Sequence, residues 1–569
     1  MRNIITVALL FFATTAFSQR VSVVLDGDTK EWPEDAHQIS DSGNDGGALD
    51  ITSLSASNDS RFLYLNFTLN EEILLNDNNE LWMYLDTDAD AATGYQVNGT
   101  GAELRWHFGG RQGYFGEEKV YHNDFNFVAL PTITSDTFEL RISRTALPDE
   151  SNPLFTGNDI RIVFKDMQSG DVVPDEGAFF EYSFAENTND FQPRSLLRAT
   201  STDVRVMSYN VLHDGIIKAE RKPYFRRVIR ATSPDVVVLN ECWDATASQV
   251  KAVFDDFIPL PGNQSWHTLK KDDGNILVSR FPFLDSWAIH NDMRLTAALV
   301  DLPDNQYTND FMVVGAHFRC CGANEARQRE ADAFVEFILD AKSEGGEVTI
   351  PENTPFFLAG DLNLVGYSQQ LTTLLTGEII NDEFGEGGLP DWDNTPLFDV
   401  VSAHTDMPVA NTWRSNTSSF WPGRLDFAII SNSVSKVLNS WVLETTNMSP
   451  DRLNAFNLEA NDTQEASDHL PKVTDLAFTG PLAVSSVKQK QVTVLPNPAS
   501  DKIDIIGEGI DSVRVIQLST GQIIKTIFHE NQGGTFRIQS GDFKPGVYLL
   551  EIKRRNNKSS HYEKIIITR

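Results

Sequence analysis

Five largely apolar runs, "VRVMSYN", "DVVVLNE", "FMVVGAHF", "PFFLAGDLN" and "RLDFAIIS", succeed one another between Val204 and Ser431, and each carries a polar residue at or near one end. A strand with several consecutive apolar residues needs cover on both faces, so it belongs inside a layered fold. The stretches between them are helix-like. In "NEARQREADAFVEFILDAK", Ala326, Ala333, Phe334, Phe337 and Ile338 fall roughly on one face, with charge on the other. Buried strands and amphipathic helices together predict an α/β layered domain over 204–475. In such folds neighbouring strand ends converge on one edge, where sites form. The strand-end residues here are Asn210, Glu241, His317, Asp361 with Asn363, and Asp426; "EASDHLP" adds Asp468 and His469.

Carboxylates gathered at one edge raise one another's pKa unless a cation sits among them. Oxygen donors without thiolate suit a hard ion, Mg²⁺ first, with Mn²⁺ or Ca²⁺ as alternatives. Arg414 in "NTWRSN" and Arg424 in "WPGRLDF" flank the set and are candidates to grip a substrate phosphate, or are ordinary surface arginines. Phe420 and Trp421 in "SSFWPG" are candidates to stack on a base or touch lipid, with tucking into this domain the first expectation, and Arg327 and Arg329 are expected to lie on a solvated helix start.

The chain of 569 residues is too long for one core, so several domains are expected. The first 18 residues, "MRNIITVALLFFATTAFS", have a basic start, an apolar run and a small-x-small end, the pattern of a signal peptide. That run is shorter than the roughly 20 residues a spanning helix needs, and no other long apolar run follows, so no transmembrane segment is expected. Residues 20–197 alternate apolar and polar in "RFLYLNFTL", "ELWMYLDTD", "TFELRISR" and "IRIVFKD", which predicts an antiparallel β-sandwich. Residues 476–491 read as a linker, and 492–569 as a small all-β module. The net charge of -33 excludes non-specific nucleic-acid binding, though not action on a single phosphate through local arginines and a metal. The three cysteines, Cys242, Cys320 and Cys321, exclude a disulfide framework. A bridge from Cys242 to either neighbour is open, whereas pairing of the adjacent Cys320 and Cys321 carries strain.

Taken together, "SYNV", "LNE", "AHF", "GDLN", "RLDF" and "SDHLP" resemble the motifs of the endonuclease/exonuclease/phosphatase superfamily. The resemblance covers 204–475. It implies a four-layered α/β sandwich and a metal-dependent phosphoesterase: a phosphodiesterase or nuclease first, a sphingomyelinase-like enzyme or phosphomonoesterase second. It implies roles as well. Glu241 is the metal ligand, with Asn210 beside it and Asp468 the second acidic residue near the metal. Asp361 orients or deprotonates the attacking water, and Asn363 holds the transition state. Asp426 pairs with His469, and either Asp361 or His469 is the base. His317 stands where nuclease, sphingomyelinase and phosphatase branches carry histidine, which disfavours the abasic-site branch. The substrate is then a nucleic acid, nucleotide or phospholipid head group.

In the first region, "LDGDTKEW", "LDTDADAATGY" and "GTGAELRW" resemble family 9-type carbohydrate-binding modules. That implies a glycan partner, with Asp86, Asp88 and Asp90 as a structural calcium cluster and Trp82, Trp106 and Tyr95 as either a sugar platform or core. "VLPNPASDKIDI", "STGQIIKT" and "FKPGVYLLEIK" resemble the sorting domain of the type IX secretion system. That implies the secretion machinery as a partner and an extracellular or cell-surface location. A different class also fits: a surface carbohydrate-binding protein with an inactive middle domain.

Overall fold

The computed structural model describes residues 20–32, 36–41, 47–186, 188–200, 203–262 and 264–478. Towards the C-terminus it describes 493–495, 497, 499–506, 510–517, 523–528, 535–554 and 561–568. The expected signal peptide and most of the expected linker lie outside these residues. The chain forms two compact units, 1–481 and 482–569.

The first unit holds two sandwiches. In the N-terminal one, a five-stranded sheet that includes Ile51–Asn58, Phe62–Ile73 and Ser135–Ser143 faces a seven-stranded sheet built around Leu81–Asp86 and Asp159–Asp166. Alternate residues of these strands, among them Leu54, Phe67, Leu85, Phe138 and Phe164, fill the space between the sheets.

The second sandwich has two six-stranded sheets. One contains, side by side, Ile276–Ser279, Val236–Asn240, Val204–Asn210 and Lys472–Phe478. The other contains Leu295–Val300, Phe311–His317, Phe356–Asp361 and Asp426–Ile430. Val206, Val238, Ala298, Val313, Ala359 and Ala428 meet between the sheets. Each outer face is covered by helices: Lys222–Thr232 and Ala247–Phe257 on the first sheet, Asn324–Lys342 and Gln369–Thr376 on the second. Both faces of every central strand are therefore buried, which is why these strands read as continuous apolar runs. This is the four-layered arrangement expected from the sequence. The Asn324–Lys342 helix differs from expectation in burying three of its charged residues, Arg327, Glu330 and Asp332. Arg327 is fully buried and donates to the carbonyls of Arg319 at 2.8 Å and Cys321 at 2.9 Å, which ties the turn before the helix to the helix itself.

Within this unit the two sandwiches share packing. The Trp421 ring enters the N-terminal core, 5.3 Å from Phe127 and 6.3 Å from Trp106, and its indole N–H donates to the Ala129 carbonyl at 3.1 Å. The sequence places Trp421 within its own domain; it crosses to the other because the apolar space beside it belongs to the N-terminal sandwich. Phe420 stays exposed, with the Arg111 guanidinium 4.3 Å from its centre. The Thr132 hydroxyl lies 2.8 and 3.1 Å from the carbonyls of Leu364 and Arg424.

The second unit is all-β. It has a three-stranded sheet and a four-stranded sheet, the latter ordered Ile523–Phe528, Ile510–Gln517, Gly546–Arg554, His561–Ile567. Among the described residues no helix is long and apolar enough to cross a membrane.

Candidate active site

Strand register brings the polar ends together. Val204–Asn210 runs parallel to Val236–Asn240 with Asn210 opposite Asn240, which leaves Glu241 just beyond the edge. In the facing sheet His317 is opposite Asp361 in a parallel pair, and Asp361 is opposite Asp426 in an antiparallel one. Asn240 joins the two sheets. It accepts the Asp361 backbone N–H at 3.0 Å and donates to the Ala316 carbonyl at 2.9 Å.

Local backbone chemistry accounts for "GDLN". Gly360 sits at φ 145°, and a Cβ there would fall 1.8 Å from the Ala316 carbonyl oxygen of the neighbouring strand. Asn363 adopts φ 47°, a left-handed conformation that asparagine tolerates well. Its N–H donates to Asp361 Oδ1 at 3.0 Å and its side-chain amide to the Phe318 carbonyl at 3.1 Å.

The amide of Asn210 is the hub. It donates to Glu241 Oε1 at 3.1 Å and to Asp361 Oδ2 at 3.0 Å, while its own oxygen accepts Leu212 N–H. Its NH2 group thus faces the carboxylates. Glu241 is held further by the His213 N–H at 2.8 Å. Two imidazoles flank Asp361: His317 Nε2 at 3.7 Å and His469 Nε2 at 3.6 Å. His469 Nδ1 lies 2.8 Å from Asp426 Oδ2, so this nitrogen carries a proton toward the carboxylate.

Burial, then the Asp426 charge, pushes the Asp361 carboxyl up to about 7 against the pull of His469 and Asn210. For His469 burial opposes the cation, but the carboxylates of Asp426 and Asp361 prevail and push it up to about 10. Burial and the nearby Arg294 hold His317 well below the ordinary imidazole range, hence neutral. The two histidines, alike in sequence, carry different charge.

Asp468 lies alongside. Its Oδ2 accepts the Trp413 indole N–H at 3.0 Å, whereas its buried Oδ1 has no hydrogen-bond partner. The orphaned Asp468 Oδ1 and the Glu241 carboxylate are each oxygen donors of the kind a hard cation takes. Mg²⁺ needs only one or two protein carboxylates when water and substrate complete its shell. Beside Asp468 runs a groove of about 380 Å³ lined by Leu212, Arg221, Arg414, Asn416 and Ser467 among others.

Arg414 lines this groove, but its guanidinium bonds the buried Glu444 at 2.7 Å. Arg424 is buried, paired with Asp399 and 4.1 Å from the Phe427 ring centre. Neither is drawn into the Asn210 cluster, since each serves an internal acid. In the N-terminal sandwich the oxygens of Asp86, Asp88 and Glu103 come within 4.8 Å of one another. Asp90, expected in this set, is not in that group; its carboxylate accepts the Ala92 N–H at 2.9 Å, and Glu103 from the adjoining strand segment stands with Asp86 and Asp88 instead. Trp106 is fully buried and no part of a platform, while Trp82 stacks on His107 at 4.7 Å and Tyr95 is exposed.

Three contributors had a sequence signal that went unused. Asn240 is the middle letter of "LNE", Trp413 lies inside "NTWRSN", and Ser467 opens "SDHLP". The Ser467 hydroxyl donates to the Asn210 carbonyl at 2.8 Å.

Residues 207–469 match the model of the Endonuclease/Exonuclease/phosphatase family, and 493–568 that of the secretion system C-terminal sorting domain. No curated protein matches the chain. Among solved structures, the human Nocturnin catalytic domain with bound sulfate is 19% identical over 49% of this chain and 95% of its own, at a TM-score of 0.29. The D. rerio TDP2 complex with single-strand DNA product is 14% identical over 48% and 99%, at 0.32. A magnesium-bound beta toxin mutant from Staphylococcus aureus is 16% identical over 49% and 100%, at 0.28.

Proposed function

Because residues 207–469 form a domain of the endonuclease/exonuclease/phosphatase family, whose members hydrolyse phosphate esters, we propose that the chain is an exported, metal-dependent phosphodiesterase or nuclease. The observation that carries this reading is the Asn210 amide bridging Glu241 and Asp361, with a charged and a neutral imidazole against the same Asp361 oxygen.

In this reading Glu241 and Asp468, with Asn210 orienting the former, hold the divalent cation; when bound, it offsets charge on the phosphoryl oxygens. Asp361 takes the proton from the attacking water. His469, cationic, directs its Nε2–H to a phosphoryl oxygen as charge builds there, and Asp426 fixes the ring through Nδ1. His317 donates as a neutral imidazole, and Asn363 supports the same oxygens. The groove beside Asp468, with Arg221 and Arg414 on its wall, receives the rest of the ester.

The test is hydrolysis by the full chain, with Mg²⁺ or EDTA, of DNA, RNA, bis-p-nitrophenyl phosphate, p-nitrophenyl phosphate and sphingomyelin. Turnover of DNA, RNA and bis-p-nitrophenyl phosphate is expected. Preference for p-nitrophenyl phosphate or sphingomyelin would move the assignment to a phosphomonoesterase or sphingomyelinase-like enzyme. No metal-dependent turnover of any substrate sinks it and leaves a carbohydrate-binding surface protein.

For the N-terminal sandwich we assign glycan binding, supported by the Trp82–His107 stack and exposed Tyr95, and calcium at Asp86, Asp88 and Glu103, supported by the buried, unpartnered Asp86 Oδ1. A glycan screen blank with and without Ca²⁺ would remove the first assignment. Unchanged melting in Ca²⁺ and EGTA would remove the second.

A further inference from the structure

We propose that Cys320 and Cys321, the adjacent pair in the turn after His317, are joined to each other by a disulfide in the exported protein. Their Sγ atoms lie 2.6 Å apart. That is far inside the roughly 3.5–4.0 Å at which non-bonded heavy atoms settle, and about half an ångström from the ~2.05 Å of a sulfur–sulfur bond.

Neighbouring side chains on an extended backbone point to opposite sides. Here Cys321 takes φ 64°, which swings its side chain back toward Cys320. A non-glycine residue persists in that region only where its surroundings hold it. The surroundings are present. Arg327, itself buried, donates to the carbonyls of Arg319 at 2.8 Å and Cys321 at 2.9 Å, and Asn324 N–H donates to Gly322 O at 3.0 Å. One residue before Arg319, the Phe318 carbonyl accepts from Asn363 and from Arg294. The turn is thus braced at each end with the two sulfurs facing, so closing the ring needs little further movement.

Both thiols are exposed, whereas Cys242, the remaining cysteine, is buried at the end of its strand. Exposure and export together make oxidation of this pair accessible. Each Sγ–H gives up one proton and one electron. The sulfur–sulfur bond forms, and the two electrons and two protons pass by thiol–disulfide exchange to the disulfide of a dithiol oxidoreductase, which leaves as its dithiol. The closed ring sits three residues from His317, on the rim of the Asp361 site.

The full chain, exported into an oxidising compartment and purified without reductant, is denatured and titrated for thiol. One thiol is expected before reduction and three after it, Cys242 being the one. The peptide holding Cys320 and Cys321 should be lighter by about two mass units than after reduction. A Cys320→Ser/Cys321→Ser variant should titrate as one thiol in both states. Three thiols before reduction would overturn the proposal, as would a bridge containing Cys242 or a link between chains.

Discussion

At the residue scale the site divides its protons unequally, and pH reads this out. Asp361 is pushed up to about 7 by burial, so its carboxylate form gains as pH rises through 7. His469 is pushed up to about 10 by Asp426 and Asp361 acting against burial, so its cation is lost as pH passes 10. Activity that needs both forms is bell-shaped, with limbs near 7 and 10 belonging to the pair. Asp426→Asn removes the charge that raises both groups, so both limbs should move to lower pH; pH profiles of kcat/KM with bis-p-nitrophenyl phosphate check this. An unmoved alkaline limb would mean that His469 is not the group titrating there. Asp361→Asn should lower kcat by about 10²–10⁴-fold, with circular dichroism unchanged. Asn210→Ala should raise the Mg²⁺ needed for half-maximal rate by about 10–100-fold, the usual effect of losing a group that orients a ligand.

Strands and loops show how the site is held. Gly360 brings two parallel strands close enough for Asp361 to stand beside His317, and any Cβ there meets the Ala316 carbonyl. On the other side, the 411–424 loop supplies Trp413 to Asp468 and sends Trp421 into the N-terminal core. Trp421→Ala should cost about 3–5 kcal/mol, as for a buried tryptophan, measured as loss of urea stability in the first unit. It should also weaken turnover, because the loop end that steadies Asp468 loses its anchor. A stable variant with unchanged turnover would show that the loop holds itself.

At the scale of the molecule, Trp421, Thr132 and the pairing of Leu25 with Val409 and Ala410 join the two sandwiches into one packed unit. A fragment limited to 204–475 would expose Trp421 and strand the carbonyls of Leu364 and Arg424. It should therefore be less soluble and less active than residues 20–478, a comparison that expression of both pieces decides. The sorting module is a separate compact unit. Removing 492–569 should leave hydrolysis by purified protein intact while the chain fails to reach the medium, as cell fractionation would show.

The sequence alone determined the layers. Apolar runs such as "DVVVLNE" must be covered on both faces, and burial of that kind is written locally, in consecutive letters. It also put Asn210, Glu241, His317, Asp361 and Asp426 at strand ends, because the apolar run stops where solvent begins. Contacts made across distance were left to the tertiary structure. Only register set Asn240 under Asp361, only packing sent Trp421 into the other sandwich, and only the left-handed turn at Cys321 faced two sulfurs that the chain otherwise directs apart. The same holds for charge. His317 and His469 are one letter in the sequence, yet burial with Arg294 nearby makes the first neutral, while Asp426 and Asp361, acting against burial, make the second a cation. A side chain's neighbours, not its identity, decide where its proton sits.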